Sequence, residues 1–206
     1  MKLYYAPGAC SLAPHIVASE IGRPIELALV QFPAKRTADG EDLYVVNPKG
    51  AVPTLRLDDG AVLTENAVIL QYLADGAGGS ELALAASGIE RYRLLEALNF
   101  VATELHKGFG PLWNPATPDA FKETVRDMLG KKFDYLQALI GEKPYILGER
   151  FSIVDAYAFT VLNWAGMHQI DIARWPGLAA YLCRVAERPA VRETLRAEGL
   201  LPADAA

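Results

Sequence analysis

The sequence predicts two domains: a small α/β domain over residues 1–79 and an all-helical domain over residues 87–206. Three observations carry this. Short apolar runs alternate with helix-spaced segments up to Ala74; from about Ser87 the apolar residues recur only at helical spacing. Between the two regions, Gly76-Ala77-Gly78-Gly79-Ser80 is the one clear shift in composition, and the boundary is placed there.

Leu3-Tyr4-Tyr5 is short, apolar and aromatic and stops at Pro7-Gly8, which reads as a first strand. Ser11 is placed to cap a helix in which Leu12, Ile16, Val17 and Ile21 fall at helical spacing, ended by Gly22 and Pro24. Ile25 to Val30 is a second strand. Strand, helix and strand in such quick succession form a βαβ unit with parallel strands. The polar stretch from Ala34 to Glu41 is either a loop or a short helix. Val52–Leu57 and Ala61–Thr64 flank Asp58-Asp59-Gly60 and read as an antiparallel hairpin. A helix from Glu65 to Ala74 follows, with Val68, Ile69, Tyr72 and Leu73 on its apolar side. The order β-α-β, then β-β-α, is that of a thioredoxin-like domain. Further on, Thr117 is placed to cap a helix opened by Pro118. Ser152-Ile153-Val154-Asp155 reads as a capping box before an apolar helix, and Trp175-Pro176 and Arg188-Pro189 punctuate the last two helices.

The chain has 206 residues, 51% apolar and 22% charged, which is ordinary for a globular protein with a sizeable core. A net charge of -5 argues against a nucleic-acid surface. No apolar run approaches the roughly 18 residues of a membrane span, and Met1 to Tyr5 does not read as a signal peptide. Two cysteines, Cys10 and Cys183, make no disulfide framework, so a cytoplasmic protein with free thiols is expected.

Cys10 lies where the first strand hands over to the first helix. A thiol there feels unpaired backbone N–H groups and the positive helix end, which favour thiolate. A lone cysteine is more often a small buried hydrophobe, but the polar Gly8-Ala9-Cys10-Ser11 context at a helix start points the other way. Residue 13 is alanine, so no C-x-x-C pair exists and redox chemistry needs an external thiol. Cys183, between Leu182 and Arg184, is assigned to the core. A cis bond before Pro53 would turn the Val52 N–H and C=O outward to pair with an extended peptide; an ordinary strand-start proline is the alternative. Thr64-Glu65-Asn66 opens a helix, either as a carboxylate site or as a solvated cap. From Arg91 to Phe109, Leu94, Leu98, Val101 and Leu105 share one helical face, while Asn99, Thr103 and His106 form a separate polar stripe. His106 is the one member able to trade a proton near neutral pH. Walker, G-x-S-x-G and H-E-x-x-H motifs are missing, and three scattered histidines argue against a metal site.

Together, Pro7 to His15, Asn47 to Pro53, Leu63 to Asn66, Thr103 to Lys107 and Ser152 to Tyr157 resemble the beta-class (bacterial) glutathione transferases, five blocks in the right order across essentially the whole chain. The resemblance implies the cytosolic glutathione transferase fold, a homodimer, no permanently bound cofactor, and glutathione as co-substrate. It implies conjugation of the glutathione thiolate to small, apolar electrophiles, a detoxifying reaction, with thiol–disulfide exchange through Cys10 as a second chemistry. Carried over residue by residue, Cys10 would sit beside the glutathione sulfur, with Tyr5, Ser11 and His106 as further polar groups near it. Val52, ahead of a cis Pro53, would pair with the cysteinyl backbone. Glu65 and Asn66 would hold the γ-glutamyl end and Lys35 the glycyl carboxylate. Asn99, Thr103, Glu104 and His106 would complete the site, Glu104 serving the other subunit. Ser152 and Asp155 would be a folding element. By composition, Phe109, Leu112 and Trp113 are expected to wall the electrophile pocket. Two other readings stay open: a glutaredoxin-like monothiol reductase with Cys10 as nucleophile, and a non-catalytic interaction module of the same fold.

Overall fold

The computed structural model describes residues 1–76, 81–83 and 87–202. In chain order these form β1 (Lys2–Tyr5), α1 (Leu12–Glu20), β2 (Glu26–Gln31), β3 (Arg36–Thr37), α2 (Leu43–Val46), β4 (Thr54–Arg56), β5 (Val62–Leu63) and α3 (Asn66–Gly76). Then follow α4 (Gly88–Phe100), α5 (Gly110–Trp113), α6 (Asp119–Ile140), α7 (Ile153–Leu162), α8 (Pro176–Ala186) and α9 (Pro189–Ala197). The chain divides into two compact units, Met1–Ser80 with Glu187–Ala206, and Glu81–Ala186. None of the helices among the described residues is long and apolar enough to cross a membrane.

The first unit is a five-stranded sheet in the order β3-β2-β1-β4-β5. β1 runs parallel to β2, with Leu3 opposite Leu27, and antiparallel to β4, with Leu3 opposite Leu55. β4 and β5 form the expected hairpin; its Asp-Asp-Gly turn needs the left-handed φ of +89° that Gly60 supplies. Leu3, Leu12, Ile16, Val17, Leu55, Ile69, Leu70 and Leu73 are all buried, so the apolar spacing of the strands and of α1 and α3 serves one core. Val68, expected on that apolar side, is instead exposed.

The other departures each have a local cause. The stretch that sequence left as loop or short helix holds β3, a two-residue strand paired with the end of β2 (Val30 opposite Thr37); runs this short have no readable period. Ser11 does not cap α1. It is fully buried, and its hydroxyl donates to the Ala6 carbonyl at 3.2 Å and accepts from the Ala6 N–H at 3.1 Å. The division at 87–206 is corrected at its tail, because α9 packs on α1 in the first unit. Arg188 on the approach to α9 bonds Glu20 at the end of α1 through two nitrogens, at 2.6 and 2.8 Å. Glu198, just past α9, is buried; its two oxygens meet His15 Nδ1 at 2.9 Å and the Gly8 N–H at 2.9 Å. The glycine-rich boundary stretch 77–80 lies outside the described residues.

In the helical unit, Leu94, Leu98, Val101 and Leu105 are buried as their spacing predicts, but they do not sit on one uniform α-helix. Winding widens to a π-helix over Val101–His106 and tightens to a 3-10 turn over Lys107–Phe109. Pro118 flanks α6 and does not start it, and no side chain caps that end. The capping box forms as expected. Asp155, fully buried, accepts from the Ser152 N–H at 2.9 Å and hydroxyl at 2.8 Å, from the Ile146 N–H at 2.9 Å and from Tyr181 at 3.1 Å. Cys183 is exposed on α8, which corrects its assignment to the core; the inward face of that helix is Leu178, Tyr181 and Val185.

Glu41 joins three parts of the sheet unit, bonding Tyr4 at 2.8 Å, Lys2 at 3.3 Å and Arg56 at 2.9 Å. Burial opposes its ionisation, yet these three donors outweigh burial and hold its carboxyl below the ordinary glutamate value. A carboxyl lowered on folding stabilises the fold above its unfolded pKa and loses that contribution as pH falls through the folded one. Glu41→Gln is therefore expected to lower the thermal midpoint at neutral pH, with the gap to the parent closing as pH falls below the ordinary glutamate range. Melts followed by circular dichroism over that range check this; a gap independent of pH would contradict it.

Candidate functional site

The sheet unit brings Cys10, Val52, Pro53 and Asn66 together around one backbone junction. Cys10 is 9% exposed, and its thiol donates to the Val52 carbonyl oxygen at 3.1 Å. The Val52–Pro53 bond is cis. A thiol that donates this bond carries its proton; the thiolate would have to leave the carbonyl and find another donor. Asn66 stands at the start of α3, and its amide donates to the Cys10 carbonyl at 2.9 Å, tying α3 to the cysteine loop. Its Oδ1 is buried and has no partner within the structure. Ser11 is spent on Ala6, so the expectation of a free serine hydroxyl near the sulfur is corrected. Tyr5 is nearly buried, its ring 6.2 Å from that of His15, and burial together with the Glu198 carboxylate holds its phenol above the ordinary value and so protonated.

Two residues of the set have unusual backbones. Among the described residues only Lys35, Glu65 and Gln169 have positive φ without being glycine. Lys35 at +54° and Glu65 at +68° are both sequence-predicted ligand contacts. Left-handed conformations cost non-glycine residues energy and gather where side chains must be aimed. Glu65 directs its carboxylate to Lys49 Nζ at 2.5 Å, and the same ammonium reaches the Thr64 hydroxyl at 2.9 Å. Glu65 therefore already engages an ammonium group. Lys49 lies within the Asn47 to Pro53 stretch, and the sixteen-residue gap to Glu65 hides the pairing from local spacing.

Within the helical unit, His106 Nδ1 lies 2.6 Å from the Tyr157 hydroxyl, and its ring packs against Trp164 with centroids 5.0 Å apart. Tyr157 stands on α7, far from His106 in sequence, and no spacing rule pairs them. Thr103 turns its hydroxyl back to the Asn99 carbonyl at 3.0 Å, and both residues are exposed. Glu104 forms an ion pair with Lys132 of α6. The polar stripe presumes uniform α-helical winding, and the π-helical segment alters its phase from Val101 on. Of the proposed aromatic wall, Phe109 is fully buried among Phe133, Trp164 and His168, and Leu112 is buried; Trp113 alone is well exposed. Phe109 is thus core, a correction that follows from its place in the 3-10 turn. Among the described residues no cluster of three metal-ligating side chains exists.

A phenol hydroxyl is a better donor than acceptor toward an imidazole nitrogen, so Tyr157 donating to Nδ1 leaves the neutral His106 with its proton on Nε2. Nitrogen-15 NMR of the labelled protein is expected to show that tautomer, with a shift toward a mixed population in Tyr157→Phe. An Nδ1-protonated His106 in the parent would overturn the assignment.

A thioredoxin-like unit with a single cysteine at the strand-to-helix loop, followed by a helical unit, defines a class of thiol-handling proteins. Family models sharpen this: residues 8–75 match the glutathione S-transferase N-terminal domain and residues 100–189 the C-terminal domain. The chain is 48% identical to the glutathione S-transferase GstA of Escherichia coli, over 97% of this chain and all of that one. A sphingomonad glutathione S-transferase solved in complex with glutathione is 43% identical, with TM-score 0.93, covering 98% of this chain and all of that one. A bacterial beta-class enzyme from Sphingomonas chungbukensis is 40% identical, again with TM-score 0.93 and the same coverage. The chain belongs to the glutathione S-transferase family, and its likeness is to the beta class.

Proposed function

We propose that this chain conjugates glutathione to small apolar electrophiles, with glutathione as co-substrate and Cys10 as its redox neighbour. The observation that carries the reading is the junction of Cys10, cis Val52–Pro53 and Asn66, flanked by the left-handed Glu65. The Val52 carbonyl and N–H offer an extended peptide one acceptor and one donor. Glu65 has a carboxylate for the γ-glutamyl ammonium, taking over the contact that Lys49 makes in the free protein. Asn66 Oδ1, buried without a partner, can accept from the same ammonium. Lys35 serves the glycyl carboxylate. The resemblance to beta-class enzymes supports Asn99, Thr103, Glu104 and His106 as further glutathione contacts. With the Ser11 hydroxyl engaged by Ala6, the protonated Tyr5 phenol and His106 are the side chains proposed to stabilise the thiolate.

The chemistry is attack of the glutathione thiolate on an electrophilic carbon, whose leaving group departs with the bonding electrons. Of the expected wall, the exposed Trp113 is the residue proposed to supply apolar contact for the electrophile, with Leu112 buried in the core. A homodimer in the cytoplasm of a bacterium completes the reading; for the homodimer, support comes from an open groove of about 650 Å³ lined by Phe100, Met128 and Tyr135 together with Glu104, Lys131 and Lys132. Exposed apolar surface of this kind marks an association face.

The test is rate with an aryl halide against rate with a glutathione mixed disulfide. Conjugation is expected to persist in Cys10→Ala while disulfide exchange is lost. A protein active on disulfides alone is a monothiol reductase; one that neither binds a glutathione matrix nor turns over either substrate is an interaction module. Mass spectrometry after treatment with oxidised glutathione is expected to show an adduct on Cys10 of the parent. Cys183 is exposed where Cys10 is buried, and an adduct at Cys183 alone would overturn the assignment of Cys10.

A further inference from the structure

Lys35 is held more firmly than a surface lysine needs to be. Its N–H donates to the Gln31 carbonyl at 2.7 Å, and its own carbonyl accepts from the Leu43 N–H at 2.9 Å, so the left-handed backbone is strapped on both sides. Its ammonium then donates to the Tyr44 hydroxyl at 2.8 Å and lies 4.6 Å from the centre of that ring. Lys2, Lys49, Lys122 and Lys132 each face a carboxylate, but Lys35 makes no ion pair among the described residues. Tyr44 is half-exposed and is seated on Gly50, two residues before Val52. A Cβ at Gly50 would stand 2.7 Å from Tyr44 Cζ, and Gly50 has a left-handed φ of +56°.

The ammonium has three protons and spends one on the phenol oxygen. That oxygen accepts, so its own O–H is left to donate. The result is a charged donor and a neutral donor, side by side, facing solvent and lacking an anion. Two converging donors match the two oxygens of a carboxylate, where a lone lysine offers only a point charge.

We propose that the Tyr44 hydroxyl is a second ligand for the glycyl carboxylate, and that Lys35 and Tyr44, set by Gly50, make the site selective for a free carboxyl end. This rests on the glutathione reading given above. Tyr44 is a binding residue here and takes no part in the chemistry. Its ring keeps the stacking when the hydroxyl is removed, so Tyr44→Phe isolates the donor.

Calorimetric titration of the full chain with glutathione and with its glycyl monoethyl ester tests this. The parent is expected to bind the free acid about tenfold or more tightly than the ester, because the ester lacks the charge. In Tyr44→Phe, affinity for glutathione is expected to fall about three- to tenfold with the ester unchanged, so the preference narrows. Melting curves of the two proteins are expected to coincide. A Tyr44→Phe protein with the parent's acid-to-ester ratio, or with tighter glutathione binding, overturns the proposal while leaving the glutathione reading intact. A parent that binds neither compound overturns both. As a second variant, Gly50→Ala displaces the ring and is expected to narrow the same ratio.

Discussion

The loop from Ala6 to Ser11 has no ladder or helix of its own to satisfy its backbone, and nearly everything at the candidate site depends on how that need is met. Backbone groups shut away from water require partners, and here some come from within the loop, as when Ala9 donates to the Ala6 carbonyl, and others from distant segments. Ser11 answers Ala6, Asn66 answers the carbonyl of Cys10, and Glu198 answers the N–H of Gly8. Cys10 is thus held by α3 on one side and by the segment after α9 on the other. The carboxylate that reaches Gly8 is itself buried, and a buried charge is tolerable only when paired; His15 Nδ1 completes its coordination. Position of the sulfur is therefore a property of the whole sheet unit.

The same logic explains why Lys35 and Glu65 sit in a costly backbone conformation. A left-handed residue turns its side chain away from the course of the neighbouring strand, which an extended residue cannot do. Both are fixed by hydrogen bonds around them: Lys35 by Gln31 and Leu43, and Glu65 by accepting at its carbonyl from the N–H groups of Val68 and Ile69. The cation and the anion are thereby presented on rigid backbone, and little ordering remains to be done when a ligand arrives.

Much of this was legible from residue order. The βαβ-ββα unit, the hairpin turn at Gly60, the capping box at Ser152 and the buried faces of α1 and α4 follow from local spacing, and local spacing survives folding. What escaped is of two kinds. Some features were too short or too irregular to have a period: β3, with two residues, and the π-helical turn at Val101–His106. Others are pairings across long stretches of chain, such as His106 with Tyr157, Lys35 with Tyr44 and α9 with α1. Ser11 illustrates the difference well. Its position before a helix suggested a cap, yet a buried loop behind it had the stronger claim on its hydroxyl. Cys183 shows the reverse error, since apolar neighbours in sequence say little about which side of a helix a residue occupies.

The tie between Glu198 and Gly8 also has a consequence in time. A ribosome makes the sheet unit first and the helical unit next, and only then the segment that closes the cysteine loop. Until residue 198 has emerged, Gly8 and His15 have no carboxylate and α1 has no α9 to cover it. The nascent sheet unit must wait, partly unsealed, through the synthesis of the entire helical unit. The Cys10 thiol is thus placed in its final setting only after the rest of the molecule has been made.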